Sequence, residues 1–259
     1  MRRLQLARGL PASGPAGWTS DIAIERRPFR WERPFQYTPQ RMSDEHLSSQ
    51  PNLWLAETLW RLGAIQFGDF TLGRTTIHSP IYVNLRLLIA HPTALQRVAR
   101  IVLQEISTLQ NMRNPQVDPF DLVCGVPFGG LIVGQSFSLT AKVPLIYPHP
   151  RSDDLGTDIE GIYHPSQTVL IMDDLVTGGG SIVLAANRLR DEGLFVRDAV
   201  VLFDRQSGGR ERLESEGIRL VSILTLDVLL TYLKMNGKIG GDWYRKAMDF
   251  IDAGRGRER

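Results

Sequence analysis

The side chains best suited to chemistry lie in one stretch, Thr168-Val-Leu-Ile-Met-Asp-Asp-Leu-Val-Thr-Gly-Gly-Gly-Ser181. Asp173 and Asp174 follow four apolar residues, and Thr177, Gly178, Gly179, Gly180 and Ser181 then open a helical pattern. Glycines admit positive φ and let several backbone N–H groups converge on one point. A helix N-terminus adds partial positive charge, and the two hydroxyls add donors. Together these meet the needs of a dianionic phosphate. Two aspartates beside a phosphate repel it unless they hold hydroxyls or a cation. A ribose diol, bound one turn from its own 5-phosphate, supplies those hydroxyls. The plainer alternative is a glycine-rich turn with a capping serine and two solvated acids, which accounts for each part but not for their order. No Gly-Lys-Ser/Thr closes the loop, which separates it from the nucleotide P-loop.

The elements around this stretch alternate. Asn52 reads as an N-cap for a helix carrying Leu53, Ala56, Leu59 and Trp60 and stopping at Gly63. Phe67–Phe70 and Ile81–Leu85 read as short strands around a loop. Pro92 and Thr93 start a helix in which Leu95, Val98, Ala99, Val102, Leu103 and Ile106 recur at helical spacing. Strands are expected at Leu122–Cys124, Val143–Tyr147, Val169–Met172, Ala199–Phe203 and Leu220–Leu224. Leu131–Leu139 reads as helical or mixed, and Ser181–Glu192 as a helix ended by Gly193. Arg151–His164 reads as a long loop, and amphipathic helices finish the chain. Such alternation predicts an α/β fold with a doubly wound, mostly parallel sheet. Ligands of such sheets bind at the carboxyl ends of the strands.

Composition sets the outer bounds. The 259 residues are 42% apolar and 22% charged, as in ordinary globular chains. No apolar run approaches the roughly 18–20 residues of a membrane span, so a soluble, cytoplasmic protein without membrane partners is expected. Cys124 is the single cysteine, which excludes an intrachain disulfide and a multi-thiolate metal site and suits a reducing cytosol. Residues 1–41 carry eight arginines against three acids, an excess of +5, so the remainder of the +2 chain carries −3. An acidic body gives nucleic-acid binding little support. The Gly-, Pro- and Arg-rich segment 1–41 is expected to be a disordered tail, a transit segment, or sequence upstream of a functional start at Met42; residues 42–259 form the domain.

With these motifs in place, the chain resembles the type I phosphoribosyltransferases. The matching stretches are the Asp173–Ser181 motif, Phe67-Gly-Asp-Phe-Thr-Leu, Ser79-Pro-Ile-Tyr-Val-Asn-Leu-Arg86, Cys124-Gly-Val-Pro-Phe128 and Phe203-Asp-Arg-Gln-Ser-Gly-Gly209. They are most similar to orotate phosphoribosyltransferases, including the form found in UMP synthase, in order from about Leu53 to about Phe250. The resemblance implies the family fold with a small hood. It implies binding of phosphoribosyl pyrophosphate, transfer to orotate, Mg²⁺ held mainly through that substrate, and a homodimer. Asp173 and Asp174 would hold the ribose hydroxyls, and Thr177–Ser181 the 5-phosphate. Gly125, Val126, Pro127, Phe128 and Gly129 would contact pyrophosphate. Arg205 would pair with the orotate carboxylate, with Tyr82 and Arg74 near the base; the alternatives are a surface ion pair for Arg205 and core packing for Tyr82. A decarboxylase partner domain is not expected, given how little sequence follows Phe250.

One segment departs from the family. The mobile catalytic loop of the family aligns with Tyr147-Pro-His-Pro-Arg-Ser-Asp-Asp-Leu-Gly-Thr157. The expected Arg-Arg-Lys run is Pro148, His149 and Pro150, and the catalytic lysine is Asp153. Arg151 is the fixed cation that remains, and His149 is a conditional one. Gly73 and Asn84 stand where lysine and aspartate are expected. Leaving-group stabilisation rests on cations, so the expectation is a slow or altered orotate-type transferase. The alternative is a non-catalytic module that binds phosphoribosyl pyrophosphate or a nucleotide. A transferase for a purine or another base is disfavoured by Arg205, a cation that a neutral base would leave unpaired.

Overall fold

A computed structural model describes residues 51–72, 76–150 and 158–256. Six strands form the main sheet in the order β5-β4-β3-β6-β7-β8. They are β3 (Leu122–Gly125), β4 (Leu145–Pro148), β5 (Ile159–Glu160), β6 (Thr168–Val176), β7 (Phe195–Asp204) and β8 (Arg219–Thr225). All neighbours run parallel except β5, which lies antiparallel to β4. Counted along the chain, the five parallel strands take the order 2-1-3-4-5. The winding therefore reverses between β3 and β6, which is where such sheets bind ligands.

Period-2 alternation along the strands feeds two cores, as expected for a sheet buried on both faces. Val123, Leu170, Met172, Val200 and Leu202 pack with α1 (Pro51–Arg61), α2 (Pro92–Gln110), α3 (Gly129–Ala141), α6 (Leu226–Met235) and α7 (Gly241–Gly256). Leu122, Cys124, Ile171, Ala199 and Val201 pack with α4 (Gly180–Asp191) and α5 (Gly209–Ser215). Each of the Val, Leu, Ile and Met side chains among them contributes roughly 1.5–3 kcal/mol on burial. A separate antiparallel pair, β1 (Ile65–Leu72) and β2 (Thr76–Val83), makes the hood. It joins α7 through Phe67 and Trp243, whose ring centroids are 5.7 Å apart.

Several sequence expectations shift. Helix α1 already includes Pro51, so Asn52 lies inside it rather than capping it. The hood strands are longer than expected, and a 3₁₀ turn (Leu85–Ala90) follows them. Within the expected long loop, Ile159–Glu160 pairs with β4, because Tyr147 and Pro148 offer that strand an edge. Strand β6 does not end at Met172. Hydrogen bonding to β7 continues to Val176–Asp204, which takes Asp173 and Asp174 into the strand. Leu131–Leu139 resolves as part of α3, which starts at Gly129. The 1–41 segment, Met42, Arg74, Arg151 and Asp153 lie outside the described residues.

Candidate active site

The site occupies the carboxyl ends of β3, β6 and β7. Asp173 is 7% exposed, and its Oδ1 accepts the Asp174 N–H at 2.8 Å. Burial first, and then the adjacent Asp174 charge, push its carboxyl well above the usual carboxylate range. The two carboxyls stay close together, since the Asp174 side chain itself adds to the upward push on Asp173. Cys124 on neighbouring β3 is fully buried, and desolvation, then the Asp173 charge, raise its thiol to about 12. It is an inert core residue.

After β6 the chain turns through Thr177-Gly-Gly-Gly180, with Gly179 at φ +72°. Helix α4 follows, and its Ile182, Val183, Ala185, Ala186 and Leu189 face the core at helical spacing. The turn, Asp173, Ser181 and Arg212 of α5 enclose a cavity of about 260 Å³. Arg212 donates through Nη1 to the Gly178 carbonyl at 3.3 Å.

The loop after β3 is pinned beside this cavity. Val126 N–H donates to the Met172 carbonyl, and Leu131 N–H to the Val126 carbonyl, both at 2.9 Å. Two glycines allow the approach. A Cβ on Gly129 would fall 2.3 Å from the Asp174 carboxyl, and one on Gly130 would fall 2.4 Å from the Met172 carbonyl oxygen. The Pro127–Phe128 peptide is cis, and Phe128 is 72% exposed.

A larger cleft of about 450 Å³ adjoins the cavity and is lined by Tyr82, Asn84, Arg86, Val126–Gly129, Asp173, Asp174, Thr177, Ser181 and Arg205. Arg205 is 4% exposed, and its Nη2 donates to the Ser79 hydroxyl at 2.9 Å. No carboxylate pairs with it among the described residues, so burial alone lowers its hold on the proton. The surface ion pair is therefore not found. Tyr82 lies on the cleft wall, with its hydroxyl accepting from Arg86 Nη2 at 3.3 Å.

The sequence-assigned residues of the cradle, the β3 loop, Tyr82 and Arg205 thus come together. His149 lines a neighbouring cavity of about 210 Å³ with Phe128, Ser181 and Arg188. Its backbone N–H donates to the Asp158 carbonyl at 2.9 Å, and its carbonyl accepts from Arg188 Nη1 at 2.8 Å. Sequence reasoning passed over Ser79, Gly130 and Arg212. The Gly129-Gly130 pair signals close backbone approach, whereas Arg212 sits in an Arg-Glu-Arg run that reads as a solvated helix face.

No family model matches the chain. Among curated proteins, it is 37% identical to Uridine 5'-monophosphate synthase of Bos taurus over 199 residues, covering 76% of this chain and 40% of that protein. It is 36% identical to the Orotate phosphoribosyltransferase of Chlamydia caviae over 182 residues, covering 68% of this chain and 82% of that one. The chain thus spans about two fifths of the bovine protein but most of the chlamydial one. Among solved structures, UMP synthase of Leishmania donovani superposes with a TM-score of 0.68 at 31% identity, over 78% of this chain and 42% of that one. An orotate phosphoribosyltransferase of Mycobacterium tuberculosis, solved in complex with 5-phospho-alpha-D-ribosyl 1-diphosphate, gives a TM-score of 0.54 at 26% identity, over 69% and 98% of the two chains.

Proposed function

The chain belongs to the orotate phosphoribosyltransferase family, and from that premise we propose that it transfers the phosphoribosyl group from phosphoribosyl pyrophosphate to orotate. The observation that carries this reading is Arg205. A buried guanidinium that, among the described residues, is held by a neutral hydroxyl alone at the wall of a cleft is costly until an anion reaches it. The orotate carboxylate matches its planar pair of donors. At the other end of the cleft, Thr177–Ser181 would receive the 5-phosphate, and Asp173 and Asp174 the ribose hydroxyls. The C1–O bond to pyrophosphate breaks as a ring nitrogen of orotate bonds to C1 and loses its proton. The Gly125–Gly129 loop would receive the departing pyrophosphate. Asp173 and Asp174 would hold ribose against the attacking ring through an oxocarbenium-like state.

Mg²⁺, when bound, would neutralise the leaving pyrophosphate. No group of three His, Cys, Asp or Glu side chains suited to a metal occurs among the described residues. The ion would therefore take most of its ligands from substrate phosphates and water, as this cation commonly does. A homodimer and the cytosol are the assembly and compartment that family membership leads us to expect. No helix among the described residues is long and apolar enough to cross a membrane.

The loop substitution sets the expected rate. With Asp153 where the family has lysine, turnover should be slow, because one well-aimed donor is worth about 2.7–4 kcal/mol of transition-state stabilisation. Orotate consumption with phosphoribosyl pyrophosphate and Mg²⁺, measured beside Asp153→Lys, tests this. The reading predicts slow wild-type turnover, raised at least about tenfold by the lysine. Binding of phosphoribosyl pyrophosphate with no turnover in either protein would overturn transfer. No binding at all would remove the phosphoribosyl site.

A further inference from the structure

We infer that Arg212 supplies the fixed positive charge of the phosphate cradle and gives it a preference for a doubly charged phosphate. The inference rests on the phosphoribosyl reading of the site. Among the described residues around the 260 Å³ cavity, Asp173 is the acid and Arg212 the single lysine or arginine. The remaining donors are backbone N–H groups and the Thr177 and Ser181 hydroxyls, all uncharged. A dianion entering beside Asp173 would meet repulsion that neutral donors offset only in part. A guanidinium supplies charge-assisted hydrogen bonds of about twice the strength of neutral ones.

The placement of Arg212 follows from backbone packing. A Cβ on Gly209 would lie 2.4 Å from the Thr177 carbonyl oxygen, and one on Gly179 would lie 3.1 Å from the Gly209 carbonyl oxygen. The cradle and the start of α5 therefore touch backbone to backbone, which sets how far Arg212 must reach. Its own N–H donates to the Gly208 carbonyl at 3.2 Å, and its carbonyl accepts the Ser215 hydroxyl at 2.7 Å. The guanidinium then reaches the cradle, with Nη1 3.4 Å from where a Gly180 Cβ would stand. Its bond to the Gly178 carbonyl, at 3.3 Å, is long and engages one of five N–H donors. Among the described residues the others have no partner and remain for phosphate oxygens.

A tether to Gly178 would need a donor but no charge, and this separates the two roles. Arg212→Gln keeps a donor and loses the charge, whereas Arg212→Lys keeps the charge. Calorimetric binding of ribose 5-phosphate to the full chain, at low and high salt, reads the difference. The glutamine variant should bind on the order of tenfold more weakly at low salt, and the lysine variant close to wild type. The gap should narrow as salt screens the exposed charge. KM for phosphoribosyl pyrophosphate should rise in the glutamine variant, with orotate affinity unchanged. Equal binding by wild type and Arg212→Gln overturns the inference, as does equal weakening in both variants with no salt dependence. Failure of the wild type to bind ribose 5-phosphate removes the parent reading together with this one.

Discussion

Arg205 Nη2 donates to the Ser79 hydroxyl at 2.9 Å, joining the end of β7 to hood strand β2 across 126 residues of sequence. That hydroxyl donates onward to the Ile81 carbonyl at 2.7 Å. Ser79 is fully buried, so a single side chain both fixes the hood backbone and aims the guanidinium at the cleft. Its loss should be felt at both places. Ser79→Ala should cost about 1–3 kcal/mol of stability by leaving buried partners unsatisfied. It should also raise KM for orotate more than KM for phosphoribosyl pyrophosphate. Chemical denaturation and steady-state kinetics measure the two effects, and equal changes in both KM values would contradict this aiming role.

The two glycines at the start of α3 should fail in different ways. A Cβ on Gly130 meets backbone, 2.4 Å from the Met172 carbonyl oxygen and 2.6 Å from the Asp173 Cα, and neither can swing aside. Gly130→Ala should therefore cost about 1–3 kcal/mol through overpacking, seen as a lower denaturation midpoint. A Cβ on Gly129 meets the Asp174 carboxyl, which can rotate away. Gly129→Ala should keep most of its stability and weaken ribose 5-phosphate binding instead, as titration calorimetry would record.

Asp173 makes stability depend on pH in a stated direction. Burial, then the Asp174 charge, raises its folded-state pKa above the unfolded value. From the unfolded pKa upward, the folded state therefore binds more protons than the unfolded chain. Its stability falls as pH rises, until the folded pKa is passed. Asp173→Asn retains the acceptor for the Asp174 N–H and cannot ionise. Its melting temperature should match wild type near pH 4 and exceed it increasingly towards neutrality, while ribose 5-phosphate binding weakens. A melting temperature below wild type at neutral pH would reverse the assigned sign.

At the opposite end of the sheet, Arg219 holds Asp198 at 2.7 Å and Asp118 at 2.6 Å. The two acids respond differently. Arg219, as the leading cause, holds the Asp118 carboxyl below the usual range, whereas burial, as the leading cause, raises that of Asp198. Arg219→Met leaves the buried Asp198 charge without its cation. Because Arg219 is itself 42% exposed, the expected loss is roughly 2–3 kcal/mol, below that of a fully buried pair. Substrate affinity of the folded variant should be unchanged, since the pair lies at the amino ends of the strands. Loss of affinity in a fully folded variant would show coupling along β7 and β8.

The sequence by itself determined the class of fold and the glycine-rich turn that we propose as a phosphate cradle, because both follow from local pattern. Val169–Met172, the acid pair and the glycines declare a strand, a turn and a helix start through period, charge and backbone freedom. The alternation of strands and helices then implies a parallel sheet. Tertiary structure decided the rest, because it depends on partners distant in the chain. Continued pairing with β7 drew Asp173 and Asp174 into β6, where no sequence signal ends the strand. For Arg205 the sequence leaves a surface ion pair open as an alternative until β2 covers it and leaves it Ser79 as its partner. Arg212 looks solvated until the glycine contacts between α5 and the cradle bring it to the cavity. Local backbone chemistry thus specifies the turn where we propose that a phosphate sits, and long-range packing specifies which charges surround that turn.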